Sequence, residues 1–245
     1  MLKNNHLKRN SNNQTRTIFL KICYFLFLIL LISCKKEVTN KEVTSNEINP
    51  KTAIDTTKNN SLKRIVFFGD SLTAGYGLDD INEAFPGIIQ NKIDSLHLAY
   101  IVVNSGVSGE TSAGGKNRIE WVLNQKPTIF VLELGANDGL RGVPLKETKT
   151  NLQTIITTVK EKYPTTKMVL AGMQIPPNMG QEYTSEFKNI FPSLAQKNDL
   201  YFIPFLLENV GGIANLNQPD GIHPTKEGHQ VLAKNVWNVL KPILK

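Results

Sequence analysis

The stretch that decides the fold is Lys63–Gly77, "KRIVFFGDSLTAGYG". Four large apolar residues, Ile65 to Phe68, break off at Gly69-Asp70-Ser71. A short apolar run bounded by a turn residue reads as a strand buried on both faces. Lys63–Gly69 is therefore the first predicted strand, with an acid and a hydroxyl at its tip. Further along, Tyr100–Asn104 "YIVVN", Thr128–Gly135 "TIFVLELG", Lys167–Met173 and the short Tyr201–Pro204 repeat the apolar strand character. Helical patterns separate them over Asn82–Leu98, Ala113–Asn124 and Glu182–Asn198. Leu152, Ile155, Ile156 and Val159 fall at i, i+3, i+4 and i+7, and a final helix carries Leu232, Val236, Val239, Leu240 and Ile243. Apolar strands alternating with amphipathic helices predict an α/β fold: a five-stranded parallel sheet in a three-layer αβα sandwich. Ligands in such folds bind beyond the carboxyl ends of the strands.

That rule directs the search for chemistry to the strand ends. Ser71 follows the first of them, where a serine is more often a turn or helix cap than a nucleophile. A serine hydroxyl needs a base, and the base needs an orienting partner. His6 and His97 lie in a terminal segment and late in the first long helix, and His229 lies in the first turns of the last helix. His223 differs, standing in Asp220-Gly221-Ile222-His223-Pro224. Gly221 permits a tight bend and Pro224 favours extended backbone at His223. One loop then holds a carboxylate against one imidazole nitrogen and leaves the other free, although a plain turn before a helix would use the same residues. Ser71, Asp220 and His223 at one sheet edge make a Ser-His-Asp set defined by roles rather than chain order. Acyl transfer also requires oxyanion donors. Asn137, in Gly135-Ala136-Asn137-Asp138, offers an amide, the glycine-rich loop Ser105–Thr111 a backbone N–H, and Ser71 its own N–H. No Gly-x-Ser-x-Gly occurs, which argues against an α/β-hydrolase elbow.

Four blocks, "GDSLTAGYG", "VSGETS", "LELGANDGLRG" and "DGIHP", together resemble the signature blocks of the SGNH (GDSL) hydrolases. Within that family the chain most resembles the bacterial group of arylesterases, thioesterase I/protease I and lysophospholipases. The resemblance spans about residues 62–243. It implies the flavodoxin-like SGNH fold and a serine esterase acting on acyl esters or thioesters through an acyl-enzyme. It assigns Ser71 as nucleophile, Gly109 rather than Gly106 as the glycine oxyanion donor, Asn137 as the amide donor, and Asp220 with His223 as the rest of the triad. No cofactor or metal is expected, and a monomer acting on small-molecule or lipid acyl esters is. Asp70 and Asp138 are expected to cap helices or brace loops. Gly139–Val143 resembles a mobile loop near the acyl site, and Met173–Met179 is expected to line an acyl groove. A carbohydrate O-acetylesterase and a non-catalytic envelope binding lipoprotein are the rival readings.

The N-terminal part is read separately. Residues 1–33 carry five cations and no acids, and the run Ile22–Ser33 is apolar but for its last residue. Twelve residues are too few to span a bilayer comfortably and fit an export signal, with an uncleaved anchor helix as the alternative. Leu31-Ile32-Ser33-Cys34 resembles a bacterial lipobox, implying lipidation of Cys34 and a lipid-anchored protein of the bacterial cell envelope, on its periplasmic or outer-membrane face. Residues 34–61, rich in Lys, Glu, Thr and Asn, read as a flexible tether, and 62–245 as the hydrolase domain. Of the net charge of +7, the signal holds +5, leaving 23 cations against 21 acids and a net of +2 beyond it. With no basic stripe, nucleic-acid binding is not inferred. Cys23 and Cys34 are the only cysteines, so the domain lacks an internal disulfide and a cysteine metal site.

Overall fold

The computed structural model describes residues 62–244. The proposed signal, Cys34 and the tether lie outside the described residues. Five strands, β1 Lys63–Gly69, β2 Tyr100–Gly106, β3 Ile129–Glu133, β4 Lys167–Ala171 and β5 Tyr201–Ile203, form one sheet. All neighbours pair in parallel, in the order β2-β1-β3-β4-β5. This is the doubly wound order with its switch point between β1 and β3, where the crevice for a ligand opens. The register sets Gly69 opposite both Gly106 of β2 and Glu133 of β3.

Among the described residues, seven helices surround the sheet: α1 Ser71–Ala74, α2 Phe85–Ser95, α3 Ser112–Val122, α4 Ala136–Leu140, α5 Leu145–Lys162, α6 Gln181–Asn198 and α7 Lys226–Leu240. Helix α5 packs between α3 and α6 on one face, and α2 packs with α7 on the other. The alternation of β1 side chains serves both layers. Phe67 meets the edge of Phe85 of α2 at 5.4 Å between ring centroids, while Phe68 meets Phe130 at 5.5 Å and lies under the Arg118 guanidinium of α3. Both phenylalanines are fully buried, as the continuous apolar run requires.

Several boundaries differ from the sequence reading. Helix α2 begins at Phe85 rather than Asn82, because Asp80 caps a separate 3₁₀ turn, Ile81–Glu83, and Pro86 sits in the first turn of α2, where a missing N–H costs nothing. It ends at Ser95, so His97 lies beyond it, exposed, at φ 52°. Strand β2 runs on to Gly106 because β1 pairs it along its whole length. Ile243 is buried from a 3₁₀ turn, Lys241–Ile243, rather than from α7, which stops before Pro242.

Candidate active site

The bend after β1 is built from buried polar groups. Asp70 caps α1, its Oδ1 accepting the Leu72 N–H at 3.0 Å. Ser71 thereby becomes the first residue of a four-residue helix, 8% exposed, with its side chain toward solvent-facing space beyond the sheet. Asp70 in turn donates its N–H to Glu133 Oε2 at 3.1 Å, and Thr73 Oγ1 donates to the same oxygen at 2.7 Å. Glu133 reaches across Gly69, where a Cβ would stand 2.2 Å from Thr73 Oγ1 and 2.3 Å from Glu133 Oε2. The glycine of the opening motif is therefore demanded by close approach.

The base comes from the segment before α7. His223 Nε2 lies 3.0 Å from Ser71 Oγ, and His223 Nδ1 lies 2.6 Å from Asp220 Oδ2. Asp220 Oδ1 accepts the N–H groups of Ile222 at 2.9 Å and His223 at 3.0 Å. These bonds hold Asp220 well below the usual carboxylate range, at about 2, with the bonds from His223 and the Ile222 N–H as causes. Gln218 pins the loop, accepting the Gly221 N–H at 2.8 Å and donating its N–H to His223 O at 2.7 Å. Tyr76 flanks the imidazole, with ring centroids 4.5 Å apart. The sequence-predicted Ser71, His223 and Asp220 are thus brought into one hydrogen-bonded line.

Asn137 arrives from the end of β3, in the first turn of α4. Its Nδ2 donates to Asp70 Oδ2 and to Glu110 O, each at 3.1 Å. Gly109, at φ +77°, lies in the loop from β2 to α3. Arg141 links these two candidates, its Nη2 donating to Gly109 O at 3.0 Å and to Asn137 Oδ1 at 3.4 Å. Glu110 pairs with Arg118, whose Nη2 also reaches Ser105 O at 2.8 Å, so that acid stiffens the loop. Asp138 accepts from the Ser112 N–H at 2.7 Å, from Ser112 Oγ and from Thr148 Oγ1 at 3.3 Å, tying α4 to α3 and α5. Asp138 is thus a brace, whereas Asp70 both caps a helix and meets Asn137.

Burial dominates the electrostatics beneath the bend. Asp70 and Glu133 are each 1% exposed. Burial pushes the Asp70 carboxyl up from 3.8 to about 6, against the lowering effect of its bonds from Leu72 and Asn137. Burial, with Asp70 beside it, raises Glu133 well above the ordinary value. Glu133 Oε1 is buried without a hydrogen-bond partner. On the far side of β1, burial and then the charge of His223 push His229 down from 6.5 to about 4. Its Nδ1 accepts the Phe85 N–H at 3.2 Å, so it serves as a packed core residue.

A cavity of about 450 Å³ opens beside Ser71, His223 and Asn137. Its wall is mainly apolar and includes Leu140, Met173, Ile175, Pro176, Phe205 and Leu207. The predicted loop Met173–Met179 does contribute, through Met173 to Pro177. Phe205 and Leu207, and Gly211 and Gly212 after them, were not anticipated, since the segment after β5 shows no periodicity. Glu133 was also missed, although an acid inside the apolar run Ile129–Leu134 is a visible irregularity.

The chain is similar to known proteins over most of its described residues. The chain is 36% identical over 189 residues to the esterase TesA of Pseudomonas aeruginosa, covering 77% of this chain and 92% of that protein. It is 33% identical over 175 residues to the arylesterase of Vibrio mimicus, covering 71% and 86% respectively. A crystal structure of TesA superposes with a TM-score of 0.71 at 37% identity, covering 74% of this chain and all of that one. The psychrotrophic esterase EstA of a Pseudoalteromonas species, solved with monoethylphosphonate as inhibitor, gives 0.70 at 32%, covering 74% and 98%. The model of the GDSL-like lipase/acylhydrolase family matches residues 67–231, from inside β1 into α7, and the chain belongs to that family of SGNH hydrolases.

Proposed function

We propose that this carboxylic ester hydrolase uses Ser71 as its nucleophile, on acyl esters whose hydrocarbon part lies in the apolar cavity. The observation that carries this reading is the line from Asp220 Oδ2 through His223 to Ser71 Oγ, with contacts of 2.6 and 3.0 Å, ending at that cavity. Ser71 Oγ attacks the acyl carbonyl while His223 Nε2 takes its proton. Asp220 keeps the other ring proton on Nδ1 and stabilises the imidazolium. The oxyanion is held by the N–H groups of Ser71 and Gly109 and by Asn137 Nδ2. His223 returns its proton to the leaving alkoxide or thiolate as the acyl-enzyme forms. It then takes a proton from water, whose oxygen attacks the acyl carbon, and returns that proton to Ser71 Oγ as the acyl–Oγ bond breaks and the acid leaves.

Relatives named as esterase and arylesterase support an ester substrate. The apolar wall favours chains longer than acetyl, and hence an acyl esterase over a carbohydrate O-acetylesterase. Cys34 is proposed as a lipidation site holding the enzyme in the cell envelope, on the lipobox-like Leu31–Cys34 that follows an apolar run. Three experiments test these readings. Ser71→Ala should lose at least about 10⁴-fold in kcat on p-nitrophenyl esters, and wild-type turnover would remove Ser71 from the mechanism. A preference for acetyl over hexanoyl and longer esters would reverse the substrate assignment. Incorporation of a labelled fatty acid in cells should depend on Cys34, and equal incorporation into Cys34→Ala would discard the anchor.

A further inference from the structure

We propose that Asp70 is the positioning residue for the Asn137 amide, a role beyond capping α1 that rests on the Ser71 esterase reading. The two carboxylate oxygens divide the work. Oδ1 accepts the Leu72 N–H at 3.0 Å, which completes the cap, and Oδ2 accepts from Asn137 Nδ2 at 3.1 Å, which the cap does not need. The amide is thereby held from three sides: Asp70 Oδ2 and Glu110 O take its two hydrogens, and Arg141 Nη2 approaches its oxygen. With acceptors at the nitrogen and a donor at the oxygen, only one of its two flip states is satisfied. The nitrogen stays turned toward the Ser71 side of the crevice, ready to share a hydrogen with an oxyanion.

The positioning group is itself fixed from below. The Asp70 N–H is bound by Glu133 Oε2, which the parallel register of Gly69 with Glu133 delivers there. Asp70 is 1% exposed, so no bulk water competes for Oδ2. The burial that lifts its pKa to about 6 is a cost of keeping a carboxylate here, which a cap alone would not demand. Asparagine and serine cap helices as well as aspartate does. A pure cap is therefore indifferent to their substitution at position 70. A positioning residue is not: Asp70→Asn turns an NH₂ group against the Asn137 NH₂, and Asp70→Ser withdraws the acceptor altogether.

The test is a double-mutant cycle between Asp70 and Asn137, read on a p-nitrophenyl ester. Asp70→Asn should lower kcat by about 10- to 100-fold with KM little changed, short of the 10²- to 10³-fold lost when an oxyanion donor is removed by Asn137→Ala. In the Asn137→Ala background the same substitution should cost less than about threefold, because it acts through the amide already deleted. Asp70→Ser should repeat both results, covering the case in which Asp70→Asn does not fold, and thermal unfolding identifies that case. Wild-type kcat in a folded Asp70→Asn or Asp70→Ser variant would overturn the positioning role, as would equal losses with and without Asn137. Full turnover in Ser71→Ala would overturn the esterase reading and this inference together, whereas an inactive Ser71→Ala with an additive cycle would overturn the positioning role alone.

Discussion

The two halves of the candidate site are built on opposite principles. The bend that carries Ser71 is buried and crowded: Asp70, Thr73 and Glu133 are each at most 1% exposed, and Gly69 has no room for a methyl group. The loop that carries Asp220 and His223 is open: Asp220, Gly221 and Ile222 are exposed, and a Cβ at Gly221 would meet nothing within 4 Å. The bend is held by the sheet, through register and burial, while the loop is held mainly by its own short-range hydrogen bonds, with one longer tie from Gln218 Nε2 to Tyr76 O at 2.7 Å. A nucleophile and its oxyanion donors need fixed positions, since their contribution depends on geometry set before reaction. The base must reach both Ser71 and a leaving group, and a surface loop with an internal carboxylate suffices for that.

The largest effect on this contrast is expected on the open side. Asp220→Asn preserves an acceptor for the Ile222 and His223 N–H groups but sets an NH₂ group against His223 Nδ1, where a carboxylate oxygen now lies at 2.6 Å. That arrangement favours the wrong imidazole tautomer, with the proton on the nitrogen facing Ser71. kcat should fall by about 10³- to 10⁴-fold while the unfolding midpoint hardly moves. A large loss of stability would mean that the loop is part of the folding core after all, and the contrast would fail.

On the buried side the same logic runs in reverse. Gly69→Ala places a methyl group within 2.3 Å of two polar side-chain atoms that cannot retreat, because both belong to the bonded set under Asp70. Overpacking of this kind should cost about 3 kcal/mol or more of stability, and activity with it, measured by urea unfolding and ester hydrolysis. Neutral behaviour would show that the Thr73 and Glu133 side chains move freely, against their burial.

This difference also marks what could be read from the chain alone. The apolar run Ile65–Phe68 and its polar end are local features, and so is the Asp220–Pro224 turn; each locates its half of the site without the fold. The periodic residues of α5 and α7 likewise face the core as their spacing requires. The network beneath Ser71 is not local. Glu133 is 62 residues from Ser71, and only the parallel pairing of β1 with β3 carries it under Gly69. The cavity wall from Phe205 to Gly212 depends on where an aperiodic segment runs after β5. The start of α2 was misread because the 3₁₀ turn at Ile81–Glu83 continues the helical pattern without being part of the helix. The roles of Gly109 and Asn137 came from resemblance to a family, since a glycine in a loop announces no donor by itself.

Titration separates the two regions further. Asp70 binds its proton more tightly folded than unfolded, so its contribution to stability is full below 3.8 and is lost as pH rises through about 6. His229 behaves oppositely: its contribution is full above 6.5 and is lost as pH falls toward about 4. Each amounts to about 3 kcal/mol, and over pH 4–6 they oppose one another. Asp220, with its pKa lowered to about 2, contributes stability that is lost only as pH falls below 3.8, outside that window. Glu133, raised well above 4.5 by its burial, loses its contribution as pH rises past 4.5, on the same side as Asp70, so the unfolding free energy of the wild type should fall between pH 4.5 and 6. His229→Asn keeps an acceptor for the Phe85 N–H and removes one of the two opposed groups. The variant should grow more stable by at least about 3 kcal/mol between pH 6 and 4 in urea unfolding, with Glu133 adding to Asp70. A flat profile in the variant would show that neither Asp70 nor Glu133 is perturbed by its burial.

The smallest effect tests the open side again, at Gly221. Its φ of +71° is the left-handed region, which costs an L-residue about 1 kcal/mol, and nothing crowds the new methyl group. Gly221→Ala should therefore lose about 1 kcal/mol of stability, a shift of about 2–4 °C in Tm for a domain of this size, with a smaller loss of kcat than Asp220→Asn. The turn that sets φ is closed by the Gly221 N–H on Gln218 O at 2.8 Å, a bond that alanine retains. The strain then stays within three or four residues, and the sheet end beneath Ser71 does not feel it. If Gly221→Ala cost as much as Gly69→Ala, the loop would be as tightly packed as the bend, and His223 would owe its position to the core rather than to Asp220.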